Sequence, residues 1–297
     1  MKRCGCAGRL ALVMVWLSMS SCCWCAPGPD FKMGQQVGQV RDSDLKEISG
    51  LAVSRKNPGV LWVHNDSGGK ACVYAINVRG ELLSMILVTG AKARDWEDIC
   101  VGPGPDPTQS YLYIADTGDN KAKHKTVTVY RVPEPTVSLT SPIRVNRTER
   151  AKAIELRYPD KAKDAETLFV DPKTKDLYII SKRELSNRLY CVPYPQSVTD
   201  ITTLTYKSTL GIGFSVGGDI SADGQCVILR TMSGAVLYER IEGKPLWEAF
   251  KNPKGLPIKK EPQGEAIAFD AQGRGYYTVS EGKKQPIYYY ERIAAAD

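Results

Sequence analysis

Apolar residues along this chain come in short runs broken by Gly, Asp, Asn and Pro, and the runs recur in one order five times. Each round opens with a pentapeptide: Ser49-Gly-Leu-Ala-Val, Glu97-Asp-Ile-Cys-Val, Glu166-Thr-Leu-Phe-Val, Gly218-Asp-Ile-Ser-Ala and Glu265-Ala-Ile-Ala-Phe. The third position is aliphatic in every copy, and Asp171, Asp223 or Asp270 follows three of them as a turn residue ending a strand. A second run comes next, as in Leu61-Trp-Val-His-Asn-Asp66 and Leu177-Tyr-Ile-Ile-Ser-Lys182. A third carries Tyr74, Tyr130, Tyr190, Tyr238 or Tyr290. Runs this short, rich in β-branched and aromatic residues and without helical periodicity, read as strands.

The pentapeptides start 48, 69, 52 and 47 residues apart, the length of a four-stranded propeller blade except where one interval is swollen by loops. Fourth strands are expected near residues 82–88, 153–157, 203–206 and 256–259. The last round has only three strands before the chain ends, while Gln36-Val-Gly-Gln-Val40 precedes the first round and has no blade of its own. A strand there that completes the last blade closes the ring and removes a free sheet edge. The expectation is an all-β, five-bladed β-propeller forming a single domain over residues 27–297. A sixth blade would have to lie between Lys121 and Tyr158, where no further copy of the opening motif stands.

Ahead of the repeats, Lys2, Arg3 and Arg9 precede the apolar stretch Leu10–Leu17, too short for the ~20 residues of a membrane-spanning helix. Residues 1–26 therefore read as an export signal. Met19-Ser20-Ser21-Cys22 resembles a bacterial lipobox, which would acylate Cys22 and anchor the protein in the cell envelope, the outer membrane included, with no other contact to lipid; without acylation it would be free in the periplasm. Three of the cations behind the formal net charge of +7 lie in this leader. No basic-aromatic cluster points to nucleic acid, and the chain is expected to be a monomer. Five of the nine cysteines also fall in or beside the leader, and Cys72, Cys100, Cys191 and Cys226 sit in strand-like runs, where buried thiols are expected and disulfides are the alternative that an exporting compartment permits. With two histidines, His64 and His124, and no cysteine pair, a zinc site is not expected.

In a propeller the first strand of each blade lines the central channel, so the opening residues of the repeat converge at one mouth. Ser49, Glu97, Glu166, Asp219 and Glu265 form the expected ring. Carboxylates that converge repel one another unless a cation is shared. An oxygen-only donor set suits calcium first and magnesium second. At the same mouth, Asp98 and His64 are candidates for proton transfer. Trp96 can stack on a ligand, and Asn65, Asp66, Lys182 and Arg230 complete a site for an anionic small molecule or a cell-envelope component.

The segments Glu47-Ile-Ser-Gly-Leu-Ala52 and Gly264-Glu-Ala-Ile-Ala-Phe-Asp270, followed by Tyr276-Tyr-Thr-Val-Ser-Glu281, resemble the SdiA-regulated family of bacterial exported propellers, and more loosely the esterase-like phytases. That resemblance implies a propeller with a central calcium. Ser49, Glu97, Glu166 and Glu265 are also similar, by position, to the serine and glutamate calcium ring of the calcium-activated nucleotidases, from which Gly218 departs. Two functions follow: a calcium-dependent hydrolase of a phosphorylated or other anionic small molecule, or a non-catalytic binding or scaffold propeller in which calcium is structural.

Overall fold

The computed structural model describes residues 30–66, 69–140 and 144–293. The leader and Cys22 lie outside them. Five sheets, each with four antiparallel strands running from axis to rim, form the five blades of a propeller. The first blade runs Ile48–Val53, Val60–Asn65, Cys72–Asn77 and Leu82–Leu87 from axis to rim. The second runs Trp96–Pro103, Ser110–Asp116, Val127–Pro133 and Lys152–Arg157. The third has Ala165–Val170, Leu177–Ser181, Arg188–Val192 and Thr205–Thr209. The fourth has Ser215–Ile220, Cys226–Thr231, Gly234–Glu239 and Lys254–Leu256. The fifth has Gly264–Phe269, Gly275–Ser280 and Pro286–Glu291, and its outer strand is the N-terminal Gln35–Gln39, which pairs antiparallel with Pro286–Glu291. No helix among the described residues is long and apolar enough to cross a membrane.

The swollen second interval holds no sixth blade. Its strand Arg144–Arg147 runs back to the preceding blade and pairs in parallel with Leu82–Leu87, adding a fifth strand at the rim. The segment between the third and fourth strands of blade three does the same: Thr202–Thr203 pairs in parallel with Lys152–Arg157 of the second blade. One strand expected at 203–206 is thus two, serving different blades.

Inner and middle strands are apolar on both faces because each blade is packed between two others. Along the first strand of blade two, Ile99 and Val101 belong to the core shared with blade one, whereas Cys100 belongs to the core shared with blade three. Five such clusters fill the five blade junctions. The four cysteines are buried free thiols in four different blades.

Ring closure rests on the N-terminal segment. Phe31 and Val40 are buried; Phe31 packs edge-on against Tyr276 at 5.1 Å, and Val40 donates its N–H to the Gln285 carbonyl at 2.9 Å. Deleting residues up to 40 opens these cores and bares the Pro286–Glu291 edge. The expected result, read by calorimetry, is a melting midpoint lower by at least about 10 °C, or aggregation. An unchanged midpoint would refute closure by this strand.

Candidate functional site

Each first strand carries a bulge near its start, where one residue has no partner on the second strand: pairing steps from Ile48 to Gly50, Trp96 to Asp98, Ala165 to Thr167, Ser215 to Gly217 and Gly264 to Ala266. The residues so displaced are Ser49, Glu97, Glu166, Val216 and Glu265. A bulge re-aims a side chain and breaks the ladder, and here it does so in every blade. Four of the five are the residues that open the sequence repeat. Blade four departs: its register is two residues earlier than the pentapeptide alignment, so apolar Val216 takes the ring position. Asp219 lies three residues along the strand, about 10 Å deeper. Its carboxylate accepts the N–H of Ile220 (2.8 Å) and of Phe269 in blade five (2.9 Å). It lines a cleft of about 10 Å³ near the opposite end of the axis, together with Arg55 and Asp270. Asp219 is therefore a clamp between blades and not a ring ligand. Burial raises its pKa to about 7, against the pull of Arg55.

Glu97 is the centre of the acidic mouth. Its carboxylate belongs to two triads, Asp66–Asp95–Glu97 and Glu97–Asp164–Glu166, and within each the ligand oxygens lie within 4.8 Å of one another. Burial is the main force holding the Glu97 carboxyl well above the ordinary carboxylate pKa; the field of Glu166, Asp66, Asp95 and Asp164 adds to it. Backbone crowds the cluster: a Cβ on Gly118 would overlap the carboxylates of Glu97 and Asp95. The sequence offered a sign of the added acids, since Asp95-Trp-Glu97 and Asp164-Ala-Glu166 repeat one Asp-x-Glu pattern at the bulge of adjacent blades.

Lys182 enters this ring as its internal cation. It pairs with Glu166 and lies 3.9 Å from Glu265. Burial opposes its charge, but Glu166, Glu265 and Glu97 outweigh that penalty and hold its pKa above the ordinary lysine value. Glu166 still reaches about 8, chiefly through burial, and its Oε2 is buried without a hydrogen-bond partner. On the far side Glu265 lies outside both triads, beside Ser49 and Glu281, and burial is the main cause of its raised pKa. Glu281 is pushed up to about 8 by burial and then by Glu265.

Several residues expected at the mouth are committed to the fold. Asp98 is buried; it accepts the N–H of Ile99 (2.9 Å) and of Leu168 in blade three (2.8 Å), and burial raises its pKa well above the usual range. His64 is fully buried, with Nδ1 2.9 Å from the Asn65 carbonyl and its ring edge-on to Trp96. A Cβ on Gly50 would overlap its Nε2. Trp96 is likewise buried, donating to the Lys92 carbonyl at 2.8 Å, and offers no face for stacking. Arg230 is buried against Glu261 at 2.6 Å and donates to the Gly264 carbonyl at 2.8 Å, so it is not an anion anchor. Glu261 lies outside the repeats, so the repeat pattern does not foreshadow the pair. Asn65 and Asp66 do sit at the mouth, partly exposed; Asn65 holds the loop before blade one, bonding Glu47 N–H (3.2 Å) and the Asp44 carbonyl (2.6 Å).

No protein-family model and no curated protein matches this chain. Among solved structures it is similar to hydrazine synthase of Kuenenia stuttgartiensis, at 9% identity and a TM-score of 0.45 over 84% of each chain. It is also similar to the WD40 domain of Neurospora crassa Pan2, at 8% identity and a TM-score of 0.48 over 92% of this chain and 98% of that one. Likenesses this distant carry nothing about activity.

Burial, offset in part by hydrogen bonds to Asn65 and Asp98, lowers the His64 pKa from 6.5 to about 4. Between those values the unfolded imidazole binds a proton that the native one does not. The stability it contributes is complete above pH 6.5 and is lost as pH falls through about 4, up to about 3 kcal/mol. Asp219 has the opposite sign: its folded pKa is raised, so its contribution is present below the unfolded value of 3.8 and is lost as pH rises to about 7. In NMR titration the His64 ring protons should keep their neutral shifts down to about pH 5; a midpoint near 6.5 would put the ring in water.

Proposed function

We propose that the protein is a binding propeller of the cell envelope whose acidic mouth holds a divalent cation, calcium by preference. The observation that carries this is the sharing of Glu97 between two carboxylate triads, one of which includes a buried Glu166 oxygen with no hydrogen-bond partner. Buried carboxylates in that number are unfavourable without a cation. Asp66, Asp95, Glu97, Asp164 and Glu166 offer the hard oxygen donors that calcium takes in flexible geometry, with magnesium second. Ser49 and Glu265, on the other side of Lys182, are better placed to hold the blades and the lysine.

The binding reading is favoured over the hydrolase because His64, Asp98 and Arg230, the groups assigned to proton transfer and anion binding, are held inside the fold by partners of their own. The export signal read in residues 1–26 supports the placement in the envelope.

Lys182 and the ion compete for the same carboxylates. Thermal unfolding after EDTA, with calcium or magnesium added back, tests the site. Calcium at one hundred times its dissociation constant should raise the midpoint by about 5–10 °C. Lys182→Met should melt lower without calcium and bind calcium at least about tenfold more tightly, since a positive charge leaves the site. Glu97→Gln, and Gly118→Ala through the Glu97 carboxylate, should abolish the calcium shift. A midpoint indifferent to both ions in the wild type and in Lys182→Met would overturn the proposal.

A further inference from the structure

The five acids of the mouth divide into two ligand sets. Asp66 and Asp95 share one with Glu97, Asp164 and Glu166 share the other with Glu97, and neither Asp66 nor Asp95 belongs with Asp164 or Glu166. One ion cannot serve both sets. Calcium binds oxygen at about 2.3–2.6 Å, so the oxygens around a single ion lie at most about 5 Å apart. Each triad meets that spread, with its ligand oxygens within 4.8 Å of one another, and the five acids together do not. The first set joins blades one and two and is open toward the mouth, with Asp66 and Asp95 partly exposed. The second joins blades two and three and is buried throughout.

Two of these acids are buried without a donor. Glu97 is 3% exposed, and its carboxylate meets other carboxylates and no hydrogen-bond donor among the described residues. Glu166 gives Oε1 to Lys182, and its buried Oε2 has no hydrogen-bond partner. A Cβ on Gly118 would overlap Glu97 Oε1 and Asp95 Oδ2 at once, so those two oxygens border one space. Asp164 is fixed by Asp119 N–H on Oδ1 at 2.8 Å and by Arg183 on Oδ2 at 2.6 Å, and a carboxylate so held keeps lone pairs for a metal. Charge points the same way. On the inner side Glu97, Asp164, Glu166 and Glu265 meet two paired cations, Lys182 and Arg183, a deficit that one divalent ion fills. Asp66 and Asp95 add carboxylate on the outer side, where Arg94 directs its guanidinium to the Asp116 and Thr126 carbonyls at 3.2 and 3.4 Å.

We infer that the mouth takes two divalent cations, calcium by preference, bridged by Glu97. The inner ion lies among Glu97, Asp164 and Glu166 and ties blade two to blade three. The outer ion lies among Asp66, Asp95 and Glu97 and ties blade one to blade two. This deepens the cation reading of the mouth and rests on it. The inner ion is enclosed and binds first. Its charge opposes the second, which enters from the open side, where three protein carboxylates leave part of the about six to eight positions that calcium takes facing the mouth.

The test counts ions. Protein stripped with EDTA and dialysed to equilibrium against radioactive calcium should bind two ions per chain, the second at least about tenfold more weakly than the first. The double variant Asp66→Asn/Asp95→Asn should keep the tight ion and most of the calcium-dependent rise in melting midpoint, and lose the weak ion. In EDTA the same variant should melt at or above the wild type, because like charges leave the cluster; aspartates with a purely structural role would give a lower midpoint. Glu166→Gln should lose the tight ion and the rise while keeping the weak ion, and Glu97→Gln should lose both. If Glu166→Gln fails to fold, the wild-type count and the Asp66→Asn/Asp95→Asn variant still decide. One ion in the wild type, or loss of both ions in Asp66→Asn/Asp95→Asn, overturns the bridged pair. A single ion leaves the cation reading of the mouth standing, whereas no calcium bound up to about 10 mM, above the range of extracellular calcium modules, refutes that reading as well.

Discussion

Closing five twisted sheets around an axis brings their first strands so close that the polar groups there are cut off from water, and each must find its partner in another blade. Ser49 donates to the Glu97 carbonyl (2.6 Å), Thr117 to the Ala165 carbonyl (2.7 Å), and Thr167 meets Ser215 at 2.8 Å. Asp98 and Asp219 act alike: each accepts the N–H of its own next residue and one from the following blade. Arg230 crosses from blade four to the Gly264 carbonyl. A buried partner left unpaired costs about 1–3 kcal/mol, so these side chains are fixed by architecture before any ligand enters.

What those links leave over defines the chemistry. The bulges turn one residue per blade out of the ladder, and in blades two, three and five that residue is a glutamate. Lys182 compensates one side of the resulting ring. Around Glu97, carboxylate gathers faster than the protein supplies positive charge, and the pKa values of Glu97 and Asp95 rise in response, first through burial and then through their neighbours. The mouth is thus where carboxylate exceeds the protein's own cations, while the proton-transfer and anion-binding groups expected there serve the interior.

The repeat made the blade count and the closing strand readable, because apolar runs, turn residues and third-strand tyrosines recur with the period of the blade. It misplaced blade four for a local reason. Gly218-Asp-Ile220 imitates the opening motif, whereas the true register sets Gly218 opposite Leu229 and Val216 at the bulge, a shift carried by backbone pairing and invisible to composition. Glu97 and Glu166 were legible as ring residues from their place in the repeat. The burial of His64, Trp96 and Arg230 was not, since it depends on Gly50, Lys92 and Glu261, which belong to neighbouring strands and connecting loops.

The parallel rim strands bear on how the molecule comes into being. Blade one is completed by Arg144–Arg147, blade two by Thr202–Thr203, and blade five by Gln35–Gln39. Three blades therefore wait for chain that lies well beyond, or far ahead of, their own strands. As the polypeptide emerges, the first blade stays unfinished until the second is nearly threaded, the second until the third is threaded, and the last must recover a strand made at the outset. Such interleaving raises the sequence separation of the final contacts. It makes the ring assemble and come apart as one unit, unlike a stack of repeats that frays from an end.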